Sequence, residues 1–383
     1  MERDELAGWL RLLDTPGVGN VTARKLLTAF GLPHNIFAQS VSQLSPYVSR
    51  RQAEALSQPP ADLVQQLDTT LSWLAASPAQ HHLLSLADPR YPSGLLDIED
   101  PPLLLYVVGP LAEFFTGWGQ GSTSIAIVGS RNPTAQGATN ARNFASAMAQ
   151  AGLTVVSGLA LGVDGAAHEG ALDGASSGQL ATIAIVGTGL DRVYPKGHLK
   201  LAHRIARQGL LLSEYPLGTP PLAANFPQRN RLIAGLSRAT LVVEAALQSG
   251  SLITARLAVE QGKDVFAIPG SIHATQARGC HALIKQGAKL VESAQDILEE
   301  CNFPPMTTPT GMKESVAHTD APDSTPDEME VLEALGYDPM GLDALQSRTG
   351  LDTAKLQVLL MGLELQGVVA RMPGALFQRL VRA

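Results

Sequence analysis

The chain has 383 residues, a formal net charge of −7 and an apolar fraction of 45%. This length allows two or three domains with a sizeable packed core. The acidic balance argues against a protein that coats DNA through bulk electrostatics, although it is compatible with a local basic groove. The two cysteines, Cys280 and Cys301, are too few for a disulfide framework or a cysteine-rich metal site, so a reducing, cytoplasmic location is expected.

Association with a membrane is not expected from the sequence. No apolar run approaches the ~20 residues that a membrane-spanning helix needs. The opening stretch, MERDELAGWL, lacks the basic and apolar regions of a signal peptide.

Residues 1–75 are predicted to form a small, SAM-like domain of short helices. Within it, the loop PGVG at 16–19 separates two apolar helical stretches and resembles the turn of a helix-hairpin-helix. Glycines in such a turn expose backbone N–H groups to a phosphate, and Arg24 and Lys25 would lie nearby. The alternative is a turn in a module that only packs.

Residues 80–300 alternate strand-like apolar runs with helical patterns. Runs rich in Val, Ile and Leu indicate strands that are buried on both faces of a parallel sheet. We therefore predict an α/β fold with an extended Rossmann-like, doubly wound and mostly parallel sheet, which binds ligands at the carboxyl ends of its strands. The candidate strands are LLLYVV, IAIVG, TVVSG, TIAIVG, LLLSE, TLVVEA, VFAIP and KLVE.

The segment AIVGSRNPTAQG at 126–137 has the layout of a phosphate-binding loop between a strand and a helix. Its glycine spacing fits neither the dinucleotide fingerprint nor the P-loop. Gly129 allows the chain to turn close to a ligand, and Ser130 and the free amides can bond phosphate oxygens. Arg131 can bind a phosphate through two parallel hydrogen bonds. We interpret the loop as a phosphate site; the alternative is an ordinary turn with a solvated arginine.

A second glycine-rich turn, SGLALGVDGAAHEGAL at 157–172, follows the next strand. Gly158 opens the turn, and Asp164 lies in the first turn of a helix, where a carboxylate suits the helix dipole. Ser157, Asp164 and His168 could form a nucleophilic triad. We favour the simpler interpretation, a helix-start carboxylate with a local hydrogen bond.

The third loop, GTGLDRVYPKGH at 187–198, begins like a dinucleotide fingerprint. Arg192 stands where the third glycine belongs, and Pro195 interrupts the helix that should follow directly. Glu214 ends the next strand, close to where a ribose-binding acid would lie. A nicotinamide or flavin site is therefore disfavoured, and no cofactor is expected.

The fourth loop region contains FPQRNR at 226–231. Here an aromatic ring, Phe226, stands close to the guanidinium and amide groups of Arg229, Asn230 and Arg231. This combination suits a nucleic-acid base stacked beside its own phosphate. The alternative is a buried phenylalanine with a salt-bridged pair of arginines.

Two further features favour a polyanion over a single nucleotide. Gly250, Ser251 and Thr254 begin a later helix and would offer a second anion nest. Between residues 190 and 238, eight basic residues face only two acidic ones, a local charge of +6 that indicates a specific groove. The basic residues are Arg192, Lys196, Lys200, Arg204, Arg207, Arg229, Arg231 and Arg238.

The last part of the chain is predicted to be a flexible linker followed by a winged helix. Residues 302–326 are rich in Pro, Thr and Ser and poor in apolar residues. Residues 327–383 show three helical patterns and then the strand-like runs VVAR and ALFQRL. The third helix of such motifs often reads DNA, but here TAKLQVLLMGLELQ carries a single lysine among many apolar residues. A protein-contact or packing role is therefore favoured for this helix.

A series of motifs runs in order along the middle of the chain: VGSRNPT, SGLALGVDGAAHEGAL, GTGLDRVYP, SEYPLGTPP, FPQRNRLIAGLS, VVEAALQSGSLITARLA and VFAIPGS. The series resembles the DNA processing protein A family (DprA, also called Smf). The resemblance is strong over residues 80–300. The helical first part and the winged helix fit the family's accessory domains more loosely.

The resemblance implies a protein that binds single-stranded DNA and is not an enzyme. Family members protect incoming strands during natural transformation and load the RecA recombinase onto strands covered by single-strand binding protein. It also implies a homodimer, for which the segment 265–298 is the candidate surface. The expected DNA-contacting residues are Gly129, Ser130, Arg131, Gly158, Lys196, Phe226, Arg229, Asn230, Arg231, Gly250, Ser251 and Thr254.

Two other classes of function stay open. A nucleotide-phosphate hydrolase of the lysine-decarboxylase-like Rossmann group would use a Gly-Gly-x-Gly-Thr loop followed by a glutamate. Here SGSLITARLAVEQ stands in the comparable place with Glu260, but it lacks that glycine series. The other class is an adaptor that binds only protein through the winged helix and the helical region.

Overall fold

The computed structural model describes residues 2–114, 123–303, 325–372 and 374–380. Three parts follow one another along the chain: a group of helices, a mixed sheet covered by helices on both faces, and a winged helix. None of the helices in these ranges is long and apolar enough to cross a membrane.

The N-terminal part consists of α1 Arg3–Asp14, α2 Asn20–Phe30, α3 Pro33–Phe37, α4 Val41–Leu44, α5 Arg50–Leu56 and α6 Leu63–Ala76. Apolar residues at helical spacing bury one face of α1, including Leu6, Trp9 and Leu10. Ser40 and Ser49 start α4 and α5 with capping boxes, in which the serine hydroxyl accepts from the amide three residues later. The helices share one core.

The predicted helix-hairpin-helix turn is the loop between α1 and α2. Gly17 has a φ of +79°, which glycine adopts without strain. Gln52 Nε2 of α5 donates to the Gly17 carbonyl oxygen at 2.6 Å, and Val18 is buried. The turn therefore packs against its own domain, and DNA contact at this turn stays a prediction.

The described strands of the central sheet stand in the order β1-β2-β6-β5-β4-β3-β7-β8-β9. The pairs β1/β2 and β2/β6 are antiparallel, and the other neighbours are parallel. The strands are β1 His81–Ser85, β2 Leu104–Val108, β3 Ser124–Val128, β4 Thr154–Ser157, β5 Thr182–Ile185, β6 Leu210–Ser213, β7 Ala239–Val242, β8 Asp264–Ala267 and β9 Lys289–Leu290. The predicted doubly wound, mostly parallel sheet is confirmed.

Two strands differ from the sequence expectation. The run LLLYVV forms β2, which is buried on both faces but pairs antiparallel with both neighbours. Both faces of β2 are buried because each is covered by a different core. Tyr106 packs into the N-terminal helical core, while Leu105 packs into the core of the sheet. The sequence analysis missed β1, because His81 and His82 interrupt its apolar run.

The strand order reverses beside β3. The chain runs from β3 through β4 and β5 to β6 on one side, then returns to β7, β8 and β9 on the other. Such a reversal leaves a crevice at the carboxyl ends of the two central strands, here β3 and β7. The surrounding helices are α7 Ser93–Leu96, α8 Leu111–Phe114, α9 Ala135–Gln150, α10 Val163–Gly174, α11 Leu199–Gln208, α12 Asn225–Gly235, α13 Ser251–Glu260, α14 Arg278–Lys285 and α15 Ala294–Glu300.

The last part is the predicted winged helix. It comprises α16 Pro326–Leu335, β10 Met340–Gly341, α17 Leu342–Thr349, α18 Thr353–Leu365, β11 Val369–Met372 and β12 Leu376–Arg379. The three strands form a sheet in the order β10-β12-β11, with β10 added to the two predicted strands. Leu345, Leu360 and Phe377 belong to its own core. Most of the predicted linker, 304–324, lies outside the described residues.

Candidate nucleic-acid interface

A cavity of about 570 Å³ lies at the carboxyl ends of β3 and β7, where the strand order reverses. We call it the switch-point pocket. Nine of the predicted DNA-contacting residues line it: Gly129, Ser130, Arg131, Phe226, Arg229, Asn230, Gly250, Ser251 and Thr254. Gly158, Lys196 and Arg231 do not line it. Residues spread over more than a hundred positions of the sequence are thus brought to one place.

The loop after β3 is held in one conformation by close packing. A Cβ atom at Gly129 would lie 2.8 Å from Val163 Cγ2 of α10 and 2.9 Å from the Glu244 carbonyl oxygen, so only glycine fits there. The Ser130 hydroxyl accepts a hydrogen bond from the Asn132 amide at 3.1 Å. Gln276 Nε2 donates to the Asn132 carbonyl oxygen at 3.0 Å. These contacts direct the exposed Arg131 side chain to the mouth of the pocket.

The mouth of the pocket combines a cation with two aromatic rings. The Arg131 guanidinium carbon lies 5.9 Å from the centre of the Phe226 ring, within reach of a cation–π interaction. The Tyr194 ring is 5.5 Å from the Phe226 ring at an interplanar angle of 43°, and Tyr194 is 46% exposed. Tyr194 was missed by the sequence analysis. The feature that could have revealed it is an aromatic residue next to a proline and Lys196 in a strand-end loop.

The floor of the pocket is built on a buried arginine. Arg229 is 4% exposed, and its Nη1 donates to the carbonyl oxygens of Gly158, at 2.6 Å, and of Ile185. The guanidinium fills the space where a side chain at residue 158 would stand. Arg229 and Gly158 therefore join α12 to the ends of β4 and β5. Whether either residue contacts DNA stays a prediction, because the hydrogen bonds seen here are within the protein.

Asp164 is the second charged group of the floor. Its Oδ2 accepts hydrogen bonds from the amides of Gly158, at 3.1 Å, and Ala160, at 3.2 Å, which fixes the turn that begins α10. Burial raises the pKa of the Asp164 carboxyl in spite of the nearby Arg229 charge. Burial also lowers the pKa of Arg229 to about 10, although Asp164 acts in the opposite direction. The predicted helix-start carboxylate is present.

The nucleophilic triad is not formed. The Ser157 hydroxyl donates to the Ile127 carbonyl oxygen at 2.6 Å. His168 is fully buried, its Nδ1 lies 2.7 Å from Thr182 Oγ1, and burial lowers its pKa to about 3. His168 is therefore a neutral, buried side chain that joins α10 to Thr182 of β5, and it is too far from solvent to serve as a general base.

The far wall of the pocket is the N-terminus of α13. The side chain of Asn230 donates to the Gly250 carbonyl oxygen at 3.3 Å, and the hydroxyl groups of Ser249 and Ser251 are 2.7 Å apart. A Cβ atom at Gly250 would meet nothing within 4 Å, so this helix end faces open space. The dipole of a ten-residue helix and the hydroxyl groups of Ser249 and Ser251 favour an anion at this position, although the amide of Ser251 itself donates to the Ser249 hydroxyl at 3.3 Å.

Arg231 points away from the pocket. Its two terminal nitrogens donate to the Glu214 carboxylate at 3.0 and 2.5 Å, and its Nε donates to Asp100 at 3.2 Å. Both Arg231 and Glu214 are mostly buried, with side-chain exposures of 14% and 11%. The salt-bridge alternative raised for this residue is therefore present. Glu214 is engaged in this bridge, which leaves no carboxylate there for a ribose.

The positive charge of residues 190–238 is less concentrated in the folded protein than along the sequence. Arg204 pairs with Asp173 at 2.8 Å, and Arg231 pairs with Asp100, carboxylates that lie outside the counted segment. Arg238 lies at the opposite end of the sheet, where its guanidinium is 5.4 Å from the Phe303 ring. The exposed side chains of Lys196, Lys200 and Arg207 remain on α11 and the turn before it.

The comparisons with known proteins agree with one another. Residues 82–302 match the family described as DNA recombination-mediator protein A, and residues 315–375 match the DprA winged helix domain. Protein Smf of Escherichia coli is 41% identical over 320 residues, which is 83% of this chain and 82% of that protein.

Two solved structures are also similar. The X-ray structure of DNA processing protein A from Streptococcus pneumoniae has a TM-score of 0.60 at 36% identity and covers 78% of this chain and 98% of its own. A structure of DNA processing protein A from Helicobacter pylori, described for its single-stranded DNA binding mode, has a TM-score of 0.50 at 31% identity. It covers 58% of this chain and 96% of its own.

Proposed function

The chain belongs to the DNA recombination-mediator protein A family, and from this premise we propose that its switch-point pocket binds single-stranded DNA. One observation carries the proposal: the exposed Arg131 guanidinium lies against the Phe226 ring, next to a second exposed ring, opposite a helix N-terminus. The rings can stack unpaired bases, and the Arg131 cation and the positive end of the α13 dipole can hold the phosphates between them.

The arrangement favours a strand over a free nucleotide. Tyr194 and Lys196 continue the binding surface beyond the cavity, towards the exposed cations of α11. A single nucleotide would fill the pocket and leave that extension unused, whereas successive nucleotides can occupy both. Glu260, the acid that a hydrolase of the related Rossmann group would need, lies outside the pocket in an exposed ion pair with Arg256.

The test is the binding of labelled oligo-dT to the full chain at several salt concentrations. The logarithm of the affinity should fall with the logarithm of the salt concentration by ~0.7 for each phosphate contact. Duplex DNA of the same length should bind more weakly, since its stacked bases cannot reach the rings. An affinity that does not change with salt would show that phosphates are not held, and the proposal would be wrong.

We further propose that the bound strand is delivered to RecA, so that the protein protects and hands over incoming DNA in natural transformation. The family assignment supports this step. The measurement is the rate at which RecA begins ATP hydrolysis on circular single strands that are coated with single-strand binding protein. The wild-type chain should shorten the lag, and Arg131→Ala should not. An equal lag with and without wild-type protein would contradict delivery.

We propose that the protein acts as a homodimer through the segment 265–298. Support comes from the exposed edge of the sheet, where Leu290 of the short strand β9 is 45% exposed. An adjoining groove of about 880 Å³ between α13 and α14 is lined by apolar side chains that include Leu252, Val259 and Leu283. Leu290→Lys should convert dimers to monomers in sedimentation experiments, whereas Val64→Lys, at an exposed apolar residue of α6, should not.

We propose that no substrate is turned over. Among the described residues, no group of three or more His, Cys, Asp or Glu side chains is arranged to hold a metal ion. We expect nucleoside monophosphates, ATP and labelled DNA to remain intact after incubation with the chain. Release of a free base from a monophosphate would instead support the hydrolase alternative.

A further inference from the structure

The helix α18 of the winged helix carries an exposed apolar stripe. Val358, Met361 and Leu365 are 72%, 64% and 81% exposed, and Ala354 on the same face is exposed as well. The opposite face, with Leu356, Leu360 and Leu363, forms the core of the winged helix. A row of apolar side chains in water on an otherwise complete small domain marks a surface that binds another protein.

The chemistry of this face disfavours nucleic acid. Lys355 is the single basic residue of α18, and it already pairs with Asp327 of α16 at 2.6 Å. A helix that reads DNA needs several cations or amides on its exposed face. Aliphatic and thioether side chains instead need an apolar partner.

The stripe is self-complementary when two copies of α18 run antiparallel. Its members are spaced four, three and four residues apart, a spacing that keeps one seam in contact along two packed helices. The spacing reads the same in both directions. Antiparallel pairing therefore places Leu365 on the partner's Ala354 and Met361 on the partner's Val358. Each large side chain meets a smaller one, which fills the seam evenly. Parallel pairing would oppose Leu365 to the partner's Leu365 and leave a gap between the two alanines.

Charge favours the same arrangement. Lys355 lies in the first turn of α18, and Glu364 lies in the last, so each charge stands at the unfavourable end of its own helix dipole. In an antiparallel pair, Lys355 lies beside the C-terminal end of the partner helix and Glu364 beside its N-terminal end. Lys355 already has Asp327 as its partner, so the charge argument depends on Glu364, which the N-terminal end of the second helix then matches.

We propose that α18 docks, antiparallel, on α18 of a second copy of this chain. The contact is separate from the segment 265–298 and from the switch-point pocket. It joins two protein chains whether or not DNA is bound. If the segment 265–298 also forms a dimer contact, the two contacts together link more than two chains. The switch-point pockets of neighbouring protomers then belong to one assembly.

Cysteine cross-linking of the full-length chain tests the proposal. Ala354→Cys and Leu365→Cys are placed in separate chains that carry tags of different size. In the antiparallel pair, residue 354 of one chain lies opposite residue 365 of the other, whereas two copies of either residue are about 16 Å apart along the helix axis. A disulfide needs Cα atoms within about 7 Å. The native Cys280 and Cys301 are buried and contribute little.

A mixture of the two variants should give a cross-linked heterodimer band at least several-fold stronger than the dimer band of either variant alone. Glu333→Cys on the exposed side of α16 serves as the control and should cross-link in neither setting. If each variant alone cross-links as strongly as the mixture does, the helices pair in parallel and the proposal is wrong. Absence of any cross-link, with both thiols still reactive to a maleimide, would also overturn it. Both positions are exposed, so neither substitution removes a core contact.

Discussion

The floor and the mouth of the switch-point pocket each contain an arginine, and the two arginines have opposite environments. Arg229, in the floor, is buried and donates to backbone carbonyl oxygens of two strands. Arg131, at the mouth, is exposed and rests on an aromatic ring. The buried arginine therefore stabilises the pocket, whereas the exposed arginine can contact a ligand. Substitutions at the two sites should separate stability from binding.

The largest effect is expected at the floor. Arg229→Ala leaves the buried Asp164 carboxylate without its nearby cation and removes the donor that joins β4, β5 and α12. The free energy of unfolding should fall by about 3–6 kcal/mol, because two buried hydrogen bonds from a charged group are lost and each contributes roughly 1.5–3 kcal/mol. Urea denaturation measures this change. Arg142→Ala, which removes an exposed arginine from two surface ion pairs, is the control and should cost less than about 1 kcal/mol.

At the mouth, the effect should appear in binding alone. Arg131→Ala should weaken the binding of oligo-dT about tenfold to a hundredfold, since a hydrogen bond to a charged group contributes roughly 1.5–3 kcal/mol. Urea denaturation should give the wild-type midpoint because the side chain is exposed. Arg50→Ala, at an arginine whose side chain is 86% exposed on α5, should bind as the wild type does. Wild-type affinity in Arg131→Ala would mean that the loop after β3 is only a turn.

The buried side of α10, behind the floor, should also respond to pH. Burial lowers the pKa of His168 to about 3, so between that value and its unfolded pKa the unfolded chain binds the extra proton. The contribution of neutral His168 to the free energy of unfolding is complete above about pH 6.5. It is lost as the pH falls, by about 2 kcal/mol between pH 7 and pH 5. The raised pKa of Asp164 acts in the opposite direction, so the measure is the difference from His168→Gln. A variant with the same pH slope as the wild type would contradict the assignment.

The smallest effect is expected at the rim of the mouth. Tyr194→Ala should weaken oligo-dT binding by about 1 kcal/mol, or roughly fivefold, the lower end for loss of one base stack. Tyr194→Phe should retain the affinity, because the ring and not the hydroxyl makes the contact. If both variants lose affinity equally, the hydroxyl group binds the strand and the stacking interpretation is wrong.

Much of the fold could be predicted from local sequence. Buried runs such as those of β3 and β4 are continuous, and glycines mark the strand ends where the chain must turn. The residues that follow parallel strands are brought together by the sheet itself, which is why the loop at Gly129 and the helix start at Gly250 could be assigned to one site.

The part that could not be predicted depends on contacts distant in sequence. Arg229, Asn230 and Arg231 are adjacent, but successive residues of a helix point about 100° apart. They consequently reach the ends of β4 and β5, the start of α13, and Glu214 with Asp100. A count of charges along the sequence cannot include Asp100 or Asp173, which arrive from other segments and neutralise part of the basic cluster.

The tie between the two central loops has a consequence for biosynthesis. The Glu244 carboxylate at the end of β7 accepts hydrogen bonds from the Thr134 amide at 2.9 Å and from its hydroxyl at 2.6 Å, across 110 residues of sequence. Gln276 holds Asn132 across 144 residues. Contacts between such distant segments form late in folding. A nascent chain that ends before residue 276 lacks these partners, so the loop after β3 is not yet held in the conformation that it has in the complete pocket.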